Sequence, residues 1–123
     1  MSAEDTIRKF NAAHPNAGVE MRTTGQGEPV LAISGELDMK ASTDLSAVMA
    51  EFFDGVLQSQ RVIVDLFGVE YISSSGVGVL ISAMTNAQRR SARLVLRGVK
   101  PRVRNVLQLL GFLSYFHIED SGE

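Results

Sequence analysis

The stretch from Val62 to Met84 reads as strand, polar knot, helix, and it constrains everything around it. Val62-Ile63-Val64-Asp65-Leu66 is a short apolar run rich in β-branched residues, the pattern of a buried strand. Val77, Leu80, Ile81, Met84 and Ala87 recur at helical spacing and form one apolar stripe. Between them, after a connector at 67–72, stand Ser73-Ser74-Ser75-Gly76-Val77-Gly78. A serine there caps the helix by accepting an orphan backbone N–H. Gly76 and Gly78 leave the first turn without side chains, so another molecule can approach the backbone closely. Free N–H groups and the helix dipole also favour a phosphoryl group on a serine at this position.

The chain has 123 residues, a length suited to one domain with a real core. It has no cysteine, which excludes a disulfide framework, thiol chemistry and cysteine-ligated zinc, and is compatible with the cytosol. The acidic N-terminus, Met1 to Asp5, is followed by no long apolar run, so neither a signal peptide nor a membrane span is read. Charge is unevenly placed. Residues 1–70 carry 5 Lys/Arg against 11 Asp/Glu, and all seven basic residues of the remainder lie between Arg89 and Arg104. That cluster is either a solvated helix end, loop and helix face, or a partner surface. It holds no aromatic residue for base stacking, and the acidic overall balance argues against nucleic acid.

Residues 1–18 read as a polar, partly mobile arm in which Ile7 and Phe10 form one helical turn, broken by His14-Pro15-Asn16-Ala17-Gly18. Val19–Thr23 alternates as a half-exposed strand, Gly25-Gln26-Gly27 turns, and Val30–Ile33 is the next strand, so the two form a hairpin or adjacent pair. Ser42 or Thr43 is expected to cap a helix over 42–57, with Leu45, Val48, Met49, Phe52, Phe53, Val56 and Leu57 on one face. After the serine-capped helix, Arg93–Arg97 is a third core strand. Pro101 opens a further helix that Gly111 stops, and Tyr115–Ile118 is a final strand. Glu119–Glu123 reads as a frayed polar tail. The expected fold is α/β: a single domain with a mixed sheet of four or five strands and helices mainly on one face.

Several chemistries fail on composition. The only histidines are His14 and His117, and no Gly-x-Ser-x-Gly elbow exists, so a serine hydrolase lacks its base and its turn. No spaced His/Asp/Glu set suggests a metal, and neither a dinucleotide fingerprint nor a P-loop is complete. No cofactor is expected. The plain reading of the serines is that Ser73 or Ser74 only caps a helix. The plain reading of Asp38 is a loop carboxylate or the cap region of the helix after it.

Three segments taken together carry a resemblance. They are Asp65-Leu66-Phe67-Gly68-Val69-Glu70-Tyr71-Ile72-Ser73-Ser74-Ser75-Gly76-Val77-Gly78, Gly35-Glu36-Leu37-Asp38, and Val99 to Gly111 around Pro101. In this order the chain resembles the STAS domain family over about residues 19–118, specifically the small bacterial anti-sigma-factor antagonists. The resemblance implies a cytoplasmic, non-enzymatic switch protein. It implies phosphorylation of the serine at position 74 by a GHKL-type anti-sigma factor/serine kinase, with a PP2C-type phosphatase removing the phosphate. The unphosphorylated form would bind the kinase and free its client. Ser74 ranks first as the modified residue, Ser75 second and Ser73 third. Asp38, Ser73, Ser75, Gly76 and Gly78 are the expected partner-binding positions. Ser73 stands where the family carries an aspartate. The alternative within the family is a scaffold or transporter-associated subunit without a phosphoswitch.

Overall fold

The computed structural model describes residues 2–58 and 60–119. The chain runs α1 (Ala3–Ala13), β1 (Ala17–Thr23), β2 (Pro29–Leu37), α2 (Met39–Asp54), β3 (Arg61–Ile72), α3 (Ser74–Arg89), β4 (Arg93–Arg97), α4 (Pro101–Leu109), a 3-10 turn at Leu113–Tyr115, and β5 (His117–Glu119). The five strands lie in one sheet in sequence order. β1 and β2 are antiparallel, with Val19 opposite Ile33, and every later pair is parallel.

This order explains where the helices go. From β2 to β5 each step moves one strand in the same direction, and right-handed crossovers then place every connecting helix on the same face. The packing agrees. Leu45, Phe53, Leu80, Val103 and Leu107 from the helices join Leu31, Ile33, Val64, Leu66, Leu94 and Leu96 from the strands in one buried cluster. Burial of these side chains contributes roughly 1.5–3 kcal/mol apiece. Among the described residues the other sheet face carries no helix. There Arg61 closes over the sheet: it bonds Glu28 at 3.0 Å ahead of β2 and Glu119 at 2.7 Å on β5. Those hydrogen bonds hold the Glu119 carboxyl below its usual range and raise the Arg61 guanidinium further.

The α/β class, the five-stranded mixed sheet and the one-sided helices agree with expectation; four boundaries do not. The leader is not a single turn but an 11-residue helix, capped by the Ser2 hydroxyl and docked against the domain. Its Phe10 is buried, and His14 stacks on Phe10 while bonding Asp44 at 2.7 Å. The second helix spans 39–54 and not 42–57: Asp38 and not Ser42 or Thr43 is its cap, and it stops before Gly55, so Leu57 lies beyond it, 70 % exposed. The supposed connector 67–72 is the second half of β3. Two register shifts against β2 move its alternation out of phase, which hides the strand pattern. The last strand sits at His117–Glu119, so Glu119 belongs to the sheet; the expected frayed residues after it lie outside the described residues.

Candidate functional site

β2 and β3 run parallel and end together: Leu37 is in register with Ile72. Each strand is followed at once by a helix cap, Asp38 after β2 and Ser73 after β3. The Asp38 carboxylate accepts from Ala41 N at 2.8 Å and opens α2. The Ser73 hydroxyl accepts from Gly76 N at 3.2 Å and opens α3. Parallel pairing therefore brings two helix N-termini to one edge of the molecule, both presenting partly unsatisfied N–H groups and positive dipole ends. Neither first turn carries an acidic side chain to neutralise that field, so Asp38 is the carboxylate at the paired tips.

The three serines separate by environment. Ser73 is half-buried and its hydroxyl is occupied as the cap. Ser75 is half-buried and faces α2, lining a hollow of about 210 Å³ with Ser42, Thr43, Ser46 and Gly78. Ser74 is exposed, at the first position of α3, with no structural hydrogen bond found for its hydroxyl among the described residues. A side-chain oxygen there can be modified without breaking the cap. Gly76 is buried between the two helices. A Cβ built on it meets Ile72 Cγ1 at 2.7 Å and Ser42 Oγ at 3.2 Å, so glycine is what lets α3 settle against α2 at this depth. Gly78 is exposed, and a Cβ there meets nothing within 4 Å; close packing does not require it.

Sequence reasoning missed two residues at this edge. Met39 is 70 % exposed at the start of α2, and Tyr71 is 51 % exposed near the end of β3, opposite Glu36 in register. Large apolar side chains left in water beside two charged helix tips are the composition of an interface centre. The signal was available in principle: Met39 follows the cap directly, and alternation from the buried Val62, Val64 and Leu66 puts Tyr71 on the opposite face. Phe67 is also exposed, at 60 %, with the Lys100 ammonium 5.3 Å from its ring centroid. Lys100 bonds Glu70 at 2.7 Å and holds that carboxyl below its ordinary range.

The basic cluster does not form one patch. Arg89, Arg90 and Arg93 lie around the α3–β4 turn, and Arg97, Lys100, Arg102 and Arg104 follow at the opposite end of β4. In a parallel sheet that second end is the one carrying Asp38 and Ser73. Among the described residues neither histidine hydrogen-bonds a serine of the cluster. His14 is engaged with Asp44, and His117 lies on β5 at 4.0 Å from Glu119. Among the described residues no group of three or more His, Cys, Asp or Glu is placed to hold a metal ion, and no helix is long and apolar enough to cross a membrane.

The chain matches the STAS domain family over residues 19–123. A candidate anti-sigma factor antagonist of Bordetella bronchiseptica, BtrV, is 32 % identical over 97 residues, covering 79 % of this chain and 82 % of that protein. The anti-sigma F factor antagonist of Lysinibacillus sphaericus is 31 % identical over 83 residues, covering 67 % and 69 %. Among solved structures, the anti-sigma factor antagonist SpoIIAA in its unphosphorylated form superposes with a TM-score of 0.68. It is 24 % identical, and the match spans 86 % of this chain and 90 % of that one, a likeness of fold.

Proposed function

The chain belongs to the STAS domain family, and on that premise we propose that it is an anti-sigma-factor antagonist working as a phosphorylatable partner switch. Unphosphorylated, it binds a GHKL-type anti-sigma factor/serine kinase through the paired tips of α2 and α3 and so releases that factor's client. The kinase transfers the γ-phosphoryl group of ATP to the Ser74 hydroxyl: an O–P bond forms at Ser74, the bond to ADP breaks, and the hydroxyl proton is lost. A PP2C-type phosphatase reverses the modification by hydrolysis.

The observation that carries this reading is the division of labour between Ser73 and Ser74. Ser73 holds the cap, at 3.2 Å from Gly76 N, while Ser74 stands free at the next position. Added phosphate brings about −1.5 to −2 charges. Within the chain, the α3 dipole and free N–H groups tolerate that charge. Across an interface the balance reverses. A partner surface packed on Met39, Tyr71 and the α3 tip must desolvate the phosphate, and it meets Asp38 as a second negative charge close by. The switch thus weakens binding without unfolding the domain.

The direct test is incubation with its kinase and ATP, followed by phosphate-affinity electrophoresis and tandem mass spectrometry. Phosphate on Ser74, absent from Ser74→Ala, supports the reading. Phosphate on Ser75 alone moves the site. A kinase that binds the protein and transfers nothing to it favours the scaffold reading within the same family.

A further inference from the structure

β1 is the first strand of the sheet and pairs only with β2, so one side of it faces outward. In an antiparallel pair the main-chain groups of alternate residues point toward the neighbour and away from it. Two contacts identify which residues point away. The Asn11 carboxamide donates to Val19 O at 3.0 Å and accepts from Val19 N at 2.8 Å, and Ala17 N donates to His14 O at 3.1 Å. The outward set is therefore Ala17, Val19, Met21 and Thr23. On Val19 the Asn11 amide does what a neighbouring strand would do, meeting both groups at once. Nothing does so on Met21 or Thr23 among the described residues. Met21 is 44 % exposed there, and Glu4 and Ile7 of α1 line a hollow of about 380 Å³ against Val19–Thr23.

An open edge of this kind is a template for another strand. β1, Ala-Gly-Val-Glu-Met-Arg-Thr, has no proline or lysine to discourage pairing. We propose that the outer edge of β1 is a self-association surface for a second copy of this chain, paired antiparallel about Met21, and that Asn11 is the guard that holds it closed. The register follows from charge. Outward residues must face outward residues, so the copies slide past one another in steps of two. Centred on Met21, the pairing sets Glu20 of each chain opposite Arg22 of the other, at the non-hydrogen-bonded positions where side chains approach most closely. One step in either direction sets Glu20 against Glu20 or Arg22 against Arg22, both destabilising. In the single chain Glu20 and Arg22 already pair with each other at 2.7 Å, both well exposed, so association exchanges that contact in each copy for two between the copies.

The centred register needs Val19 to bond Thr23 of the second copy, and Asn11 occupies the Val19 groups it would use. Guard and partner compete for the same two atoms. α1 therefore couples its own docking to the assembly state of the chain, independently of the α3 tip.

The test is sedimentation equilibrium across a concentration series on the full chain, with circular dichroism and thermal melts as folding controls. Asn11→Ala is expected to strengthen dimerisation by about 30-fold or more, because each of the two copies no longer has to release a guard of two competing neutral hydrogen bonds. Asn11→Asp keeps the acceptor for Val19 N and loses only the donor, so it gives a smaller gain and serves if the alanine variant folds poorly. Adding Met21→Pro to either must return the monomer, because the outward N–H it removes belongs to the edge and not to the β1–β2 ladder. Adding Arg22→Glu must also weaken the dimer, and the swap Glu20→Arg/Arg22→Glu must restore it. Folded Asn11 variants no more dimeric than wild type overturn the proposal. So does a dimer indifferent to Met21→Pro or to the charge reversal.

Discussion

The Ser73 amide donates to the Leu37 carbonyl at 2.9 Å, joining the last residue of β2 to the cap of α3. Asp38, the cap of α2, is the next residue after that carbonyl. The two helix starts are thus held by one shared peptide region, and a change at either cap is felt at a short, rigid junction.

Cap loss at Ser73 is expected to be a stability effect first. Ser73→Ala removes the acceptor for Gly76 N and should lower unfolding free energy by about 0.5–2 kcal/mol. Ser73→Asp retains a cap and adds an acid to the α3 dipole end, so it should melt at or above the wild-type temperature. Urea unfolding of the three proteins checks this. An alanine variant as stable as wild type removes the assigned role.

Gly76→Ala probes the depth at which α3 sits on α2. Its Cβ would meet Ile72 Cγ1 at 2.7 Å with Ser42 Oγ close behind, and overpacking of this kind costs roughly 1–3 kcal/mol. Gly78→Ala meets no neighbour, and alanine is the better helix former, so it should be neutral or stabilising. Opposite signs for two glycines two residues apart separate packing from propensity.

The sequence pattern revealed the parts of this fold that alternate cleanly. The stripes of α2 and α3, the β-branched centre of β3 and the Pro101 start of α4 show their period directly, and burial follows it. What stayed hidden depends on contacts distant in sequence. The register shifts in β3 that turn Val69 into the core and leave Glu70 in solvent exist only against β2. α1 has a polar composition and owes its place to Phe10, Asn11 and His14 meeting partners on β1 and α2. At the site, the serine cluster and Asp38 were visible as motifs. The assignment of cap to Ser73 and exposure to Ser74 needed backbone geometry.

The Arg61 clasp on the helix-free face should give the protein an acid-side weakness. Glu119 has its carboxyl lowered by the Arg61 hydrogen bonds. A group lowered in the folded state contributes stability above its unfolded value, near 4.5 for this carboxyl, and loses it as pH falls through the folded value. Wild-type urea midpoints should fall as pH drops below about 4.5. Glu119→Gln should remove part of that slope and cost on the order of 1 kcal/mol at neutral pH. Parallel pH profiles for the two proteins would assign the slope to other carboxylates.

Phosphorylation of Ser74 should abolish partner binding while Ser74→Ala leaves it intact. The alanine variant keeps the Ser73 cap and every contact of α3 with the core, so it should bind the kinase like wild type. Ser74→Asp adds one carboxylate where phosphate adds about −1.5 to −2 charges and should weaken binding only partly. Met39→Ala and Tyr71→Ala remove exposed apolar side chains, so the fold should be unaffected while affinity falls. Calorimetric titration of these variants and of the phosphorylated protein orders them. Equal affinity for the phosphorylated and unphosphorylated forms contradicts the switch.

The last expectation concerns Asp38 and Ser73 as a pair. Asp38→Asn keeps an oxygen to accept from Ala41 N, now 2.8 Å from the carboxylate, and asparagine caps helices about as well as aspartate. The fold should therefore survive while the charge beside Ser74 disappears. If that charge positions Ser74 for the kinase or meets the kinase directly, the phosphorylation rate falls far more than the melting temperature. Ser73→Asp places a new carboxylate one strand away, across the Ser73–Leu37 hydrogen bond, and should recover part of the rate. Charges this close couple, so the double variant should depart from the sum of the single effects by about 0.5 kcal/mol or more in activation free energy. A double-mutant cycle on phosphorylation rate, with melts as the folding control, reads this directly. A rate unchanged by Asp38→Asn, or strict additivity of the two substitutions, would leave Asp38 as a helix cap and nothing more.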